Sequence, residues 1–142
     1  MNKTPLVLSD AEQQSIINLI DSRYKVAQLT KDAYPTEPYK RLIQEFGTFS
    51  LYMNRRAGHS TLALKLLEKY NNSYLFTYTW AQAEDLRKEV NSLKKHRIFP
   101  FCKIDELPEN SIVIVDTAFW TLSKKKRERI YDKMPEFCIF LQ

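Results

Sequence analysis

From Met53 the chain reads Met53-Asn54-Arg55-Arg56-Ala57-Gly58-His59-Ser60, with a short apolar alternation (Phe49, Leu51, Met53) before it and a helical pattern after it. A turn from a strand into a helix points backbone N–H groups and the positive helix end at one place. That attracts a phosphate whatever the side chains are. Gly58 frees the backbone where a Cβ would hinder it, and Ser60 adds a hydroxyl. His59 either touches such an anion or is a polar first-turn residue, because an imidazole carries no fixed charge. Arg55 and Arg56 either lend charge to the same anion or point into solvent, where a nucleic acid would meet them.

Against the phosphate-loop pattern G-x-x-x-x-G-K-[ST], residues 53–60 match at Gly58, at Ser60 and in the strand-to-helix context. Met53 stands in place of the first glycine and His59 in place of the lysine. Further on, four aliphatic residues, Ile112-Val113-Ile114-Val115, run into Asp116. Together these make residues 48–142 resemble a RecA-like or helicase-like P-loop NTPase core with both of its signatures degenerate. The resemblance implies that Ser60 and Asp116 hold a magnesium ion. It implies an ATP site built from Arg55, Arg56, Gly58, His59, Ser60, Thr61, Asp116 and Gln142, the last ending the family's sensor strand. Thr117 stands where a water-activating glutamate often follows the aspartate, and a threonine is no general base at neutral pH. The stretch from Leu8 to Gln13 is similar to the adenine-reading glutamine motif of some helicases; an ordinary helix cap explains the same residues.

Two basic runs carry a different chemistry. Lys94-Lys95-His96-Arg97 closes a helix, where cations suit the helix dipole and need no ligand. Lys124-Lys125-Lys126-Arg127, with Arg129, opens one and so opposes the dipole, which points to a binding surface for nucleic acid. Trp80, Phe119 and Trp120 each follow a strand end, where ligands of an open parallel sheet bind. They stack on a base, touch a partner, or lie under a neighbouring helix.

These residues need elements to hold them. Ser9 and Glu12 have capping-box spacing ahead of Ile16, Ile17, Leu19 and Ile20, which predicts a helix over 10–26. Thr36 is expected to cap a short second helix carrying Leu42, Ile43 and Phe46 and ended by Gly47. Strands are expected at 48–53, 74–79, 99–104, 111–115 and 137–141, the fourth buried on both faces because it lacks alternation. Helices are expected from Ser60, from Thr79 (with Gln82 completing its cap, and Ala83, Leu86, Val90 and Leu93 inside), and from Ser123 through Ile130, Tyr131 and Met134. Strands alternating with helices imply an α/β fold: a small parallel sheet of about four strands flanked by helices. A helical N-terminal segment, 1–47, is expected to pack on the core, 48–142, as one domain.

The 142 residues suffice for one such core, and 44% apolar with 27% charged residues is ordinary globular composition. No apolar run is long enough to span a membrane, and residues 1–8 lack the pattern of a secretory signal. Cys102 and Cys138 have neither zinc nor disulfide spacing, so a reduced, cytoplasmic protein is expected. A formal charge of +5 favours acidic partners. The function expected is that of an accessory or regulatory protein in a nucleic-acid transaction, with weak or absent nucleotide binding and hydrolysis. The alternatives are an ATPase whose site a partner completes, and a protein-binding module that inhibits or recruits a host enzyme. Such a stripped-down, glycine-poor core suggests a viral or mobile-element gene.

Overall fold

A computed structural model of the chain describes residues 8–52, 58–117 and 122–142. Five strands, β1 (Thr48–Leu51), β2 (Ser73–Thr77), β3 (Ile98–Pro100), β4 (Ile112–Asp116) and β5 (Phe137–Leu141), form one sheet in the order β1-β5-β4-β2-β3. Every neighbouring pair is parallel. About four strands are expected from the sequence, and the short one at residues 99–104 makes the fifth, as Ile98–Pro100. β4 is central, and its side chains alternate between two cores, Ile112 and Ile114 on one face and Val113 and Val115 on the other. An uninterrupted aliphatic run is what a strand covered on both faces requires.

On the first face lie α1 (Asp10–Ala33), α3 (His59–Lys69) and α4 (Trp80–Arg87), contributing Ile17 and Ile20, Leu62, Leu66 and Leu67, and Ala83 and Leu86. The second face is covered by α2 (Tyr39–Glu45), a 3₁₀ turn over Phe101–Glu106 and α6 (Lys124–Asp132), through Ile43, Phe101, Ile104, Ile130 and Tyr131. Ser9 and Glu12 cap α1 reciprocally, as do Thr79 and Gln82 on α4, and Ser123 caps α6 through the Lys126 N–H.

Several boundaries differ from the sequence reading. α1 runs a further two turns past residue 26, since nothing before Pro35 breaks it. Pro38, not Thr36, precedes α2, with its fixed φ already near helical geometry. The helix from Thr79 stops at Arg87, and residues Ser92–Lys95 form a separate turn, α5. Residues 101–104 wind into the 3₁₀ turn once Pro100 ends β3. Met134 lies beyond α6 with φ of 55° and is exposed. Both glycines have a local cause: a Cβ on Gly47 would sit 3.0 Å from the Ile43 Cα, and Gly58 adopts φ of 101°.

Two polar devices pin the first face. Arg97 is only 7% exposed, and among the described residues its guanidinium bonds to backbone carbonyls and the Ser73 hydroxyl rather than to a carboxylate. Its Nη1 donates to the carbonyls of Tyr70 and Ser73 at 3.0 and 2.9 Å, and its Nη2 to that of Leu67 at 3.1 Å. It therefore caps the last turn of α3 from inside the protein. α1 is anchored by Tyr24, whose ring meets those of Tyr70 and Phe137 at 5.5 and 5.4 Å, while the Tyr70 hydroxyl donates to Asp21 at 3.0 Å.

Replacing Arg97 with Met should destabilise the protein by about 2–4 kcal/mol in urea unfolding, because several buried carbonyls lose a charged donor. Arg97→Lys should rescue little of this, since an ammonium lacks the planar fork. Burial raises the Tyr24, Tyr39 and Tyr70 hydroxyls above their ordinary value of 10.0, Tyr39 to about 12. Above pH 10 the unfolded chain therefore releases protons that the folded chain keeps, so stability falls as pH rises. Urea midpoints should hold steady from pH 7 to 9 and drop between 10 and 12, and a flat profile there would contradict the burial of these hydroxyls.

Candidate functional site at the carboxyl edge of the sheet

The carboxyl ends of β1, β5 and β4 stand side by side, with Leu51 and Asp116 each in register with Leu141. The chain leaves β1 at the sheet edge and re-enters as α3, which packs over β4 and β2. The start of α3 is therefore set one strand beyond β5, against Asp116. β4 feeds α6 on one face and β2 feeds α4 on the other, so this is the point where the connections diverge, the usual place for a ligand in an open parallel sheet.

Gly58 precedes α3 in a left-handed conformation, and among the described residues no side chain caps the helix. α1, α4 and α6 each have a hydroxyl in that role. The first-turn amides of α3 are thus left for another acceptor. Ser60 Oγ donates to Asp116 Oδ2 at 2.9 Å, and the carboxylate is 8% exposed. His59 is 3% exposed, and neither ring nitrogen has a hydrogen-bond partner. A cleft of about 130 Å³ opens beside Ser60 and Asp116, lined also by Thr77, Gln82, Asp85 and Leu86.

Thr117 is fully occupied in holding strands together, since its N–H and hydroxyl both donate to the Leu141 carbonyl, at 2.9 and 2.8 Å. Gln142 continues β5, its N–H donating to Leu51 O at 2.7 Å. Its side-chain carbonyl accepts from Arg127 Nη2 at 3.2 Å, and Gln142 Nε2 and Arg127 Nε are buried without partners.

The geometry suits a magnesium ion. Adjacent oxygens of an octahedral shell with bonds of about 2.0–2.1 Å lie about 2.9 Å apart, the separation of Ser60 Oγ and Asp116 Oδ2. Among the described residues no group of three or more His, Cys, Asp or Glu could hold an ion alone. A hydroxyl and one carboxylate leave the remaining positions to water and phosphate oxygens, which is how magnesium commonly binds.

Of the residues singled out in the sequence, Gly58, His59, Ser60, Asp116 and Gln142 gather at this edge. Thr61 is exposed and lines a different groove, together with Lys65, Glu68 and Asn91. Arg55, Arg56, Phe119 and Trp120 lie outside the described residues. Trp80 is 45% exposed, with the Arg87 guanidinium 5.4 Å from its ring centre. The basic run on α6 divides. Lys124 and Lys125 are exposed, and Lys126 Nζ lies 6.0 Å from the Tyr78 ring centre. Arg127 turns inward to Gln142 and Phe140, whereas Arg129 stays exposed, pairing with Asp105 at the surface and passing over the Phe101 ring. In the other run, Lys94 pairs with Glu68 at 3.5 Å and Arg97 is the buried cap. Gln13 is buried in α1, its amide donating to Leu8 O. Sequence reasoning missed Thr77, Tyr78 and Asp85. The signal was available, because a capped helix directly after β2 must turn its first residues toward the same edge.

Compared with protein families, with curated proteins and with solved structures, the chain gives no match.

The Ser60–Asp116 bond can be weighed by a double-mutant cycle. Ser60→Ala and Asp116→Ala should be coupled by about 1 kcal/mol in unfolding free energy, in the range expected for contacting residues. Strict additivity would mean that the bond is not formed in solution.

Proposed function

We propose that the chain is a nucleotide-responsive accessory module for a nucleic-acid transaction, built on a degenerate P-loop NTPase-like core that binds a magnesium triphosphate weakly and does not turn it over alone. The single observation carrying this reading is the 2.9 Å approach of Ser60 Oγ to Asp116 Oδ2 at the uncapped start of α3. A phosphate seated there accepts from the first-turn amides and meets the helix dipole, and Ser60 and Asp116 are the residues that would hold the ion. A bound magnesium ion would neutralise phosphate charge. Ser60 and Asp116 would orient that charge against α3, and the apolar core beneath β4 keeps Asp116 from moving away.

Hydrolysis needs a base or a water-positioning group, and the residue after Asp116 supplies neither. The Thr117 hydroxyl is committed to Leu141 O, so it is not free to position water even by hydrogen bonding. His59 in place of a lysine leaves the transferred phosphate without a fixed cation, which limits transition-state stabilisation as well as affinity. The nucleic-acid part of the reading is supported by the cations that remain directed outward, Lys124 and Lys125, at a helix start whose dipole disfavours them.

Calorimetry and thermal melting with ATP and magnesium test the site. If the dissociation constant is about 1 mM, about 10 mM ligand adds about 1.4 kcal/mol to the native state, a rise in Tm of roughly 4 °C. Chelating the magnesium, or Ser60→Ala, should remove most of that rise, while His59→Lys should enlarge it. Phosphate release should stay at the protein-free rate. Absence of any Tm shift at saturation removes the nucleotide from the account, and turnover abolished by Asp116→Ala would make the chain an enzyme.

A further inference from the structure

Two features that are far apart in the sequence meet at the carboxyl edge. β2 ends in Thr77, and the next residues carry exposed aromatic rings, Tyr78 at 52% and Trp80 at 45%. An exposed ring offers a π-face on which an unpaired base can stack. α6, from the opposite face of the sheet, brings Lys126 to within 6.0 Å of the Tyr78 ring centre. Lys124 and Lys125 precede it on the same first turn and are exposed. On the other flank Arg87 closes one side of Trp80. Its Nε donates to Ile98 O at 2.9 Å and its Nη1 to Glu84 at 2.9 Å, so the guanidinium is fixed and Trp80 rests on a rigid support.

We infer that single-stranded nucleic acid lies across this edge, with phosphates along Lys124, Lys125 and Lys126 and with unpaired bases stacked on Tyr78 and Trp80. Rings alternating with cations are the chemistry of single-strand binding, because every base offers a π-face and every nucleotide a charge. A duplex hides those faces and would use only the lysines. The structure narrows the basic surface, since Arg127 is held inward by Gln142, while Arg129 is exposed but has its charge paired with Asp105 at 3.4 Å. Of the carboxylates on α4, Glu84 is paired with Arg87 at 2.9 Å and Asp85 lies near Lys88 at 3.9 Å. The inference rests on the nucleic-acid role proposed above, but not on a nucleotide at Ser60 and Asp116.

Fluorescence anisotropy of labelled oligo-dT and of a duplex of equal length, across a salt series, tests it. The full chain should prefer the single strand. Tyr78→Ala and Trp80→Ala should each weaken that binding roughly 5- to 150-fold and leave the salt slope nearly unchanged, with Trp80→Phe recovering much of the loss. Changing Lys124, Lys125 and Lys126 together to Gln should lower the slope of log K against log salt by about 2, at about 0.7 per phosphate contact on a single strand. Arg129→Gln should change neither quantity. Each variant should keep the wild-type circular dichroism spectrum and a single cooperative thermal melt without any ligand, which reports that it folds. Binding of oligo-dT that all these variants leave intact would overturn the surface while the accessory role stands. No binding of either form at low salt overturns both. Competition by polyglutamate with no effect of the aromatic variants would assign the lysines to an acidic protein instead.

Discussion

The first face of the sheet depends on one buried cation. Arg97 reaches from the start of β3 into the end of α3 and the turn that leads to β2, and its own carbonyl accepts from the Leu75 N–H as the β2–β3 ladder begins. Five oxygens of that turn, four of them backbone carbonyls, lie within reach of its guanidinium. Burial pulls the guanidinium below its ordinary value, yet an arginine stays charged at any pH where the protein folds. The charge is tolerated because every N–H it directs at the turn finds a carbonyl, where an unpaired ion in that position would be costly. Fixing the carboxyl end of α3 in this way also fixes its amino end, eleven residues away on a rigid rod, where Ser60 meets Asp116.

The strand order then decides what α3 can do. Had β1 paired directly with β4, the connection would be short and its first turn would lie over its own strand. With β5 between them, the start of α3 is set one strand beyond β5, against a carboxylate on β4. Asp116 and Thr117 are consecutive, yet their roles diverge. Asp116 continues the alternation of β4 onto the α3 face and meets a hydroxyl. Thr117 is spent on the carbonyl of Leu141, where it ties β4 to β5. A residue so used reinforces the edge at the expense of any chemistry on it.

Much of this fold was legible in the sequence for physical reasons. The Ser9–Glu12 and Thr79–Gln82 spacings mark helix starts because each satisfies two otherwise orphaned N–H groups, and both form as reciprocal caps. The run from Ile112 to Val115 announces a strand with no exposed face, and it sits at the centre of the sheet. Where the reading failed, local pattern had been overruled by context. Residues 101–104 have the composition of a strand, but after Pro100 they cover the second face as a 3₁₀ turn instead. Val90 and Leu93 keep the rhythm of α4, yet the helix ends at Arg87, whose side chain is drawn to Ile98 O and away from solvent. In the site, the pairing of Ser60 with Asp116 could be expected from spacing and context. The inward turn of Arg127 and the surface pairing of Arg129 with Asp105 could not, since a basic run reads as one surface until the partners on other elements are known.

Polar satisfaction is uneven across the molecule, fuller in the core than at the carboxyl edge of the sheet. In the core, Ser73, Ser111 and Thr77 are buried and each donates to a backbone carbonyl. Of the four described residues with buried polar side-chain atoms lacking any partner, three are at the carboxyl edge: His59, Arg127 and Gln142. Each such group costs about 1–3 kcal/mol relative to one that is bonded. A domain of this size has a net stability of only about 5–15 kcal/mol, so that cost is a substantial share of the total. All three side chains can present N–H donors, and they stand beside a helix start whose amides are donors too. These donors stand at the same edge as the Asp116 carboxylate, and the well-satisfied core beneath is what lets the chain fold while that edge is less completely bonded.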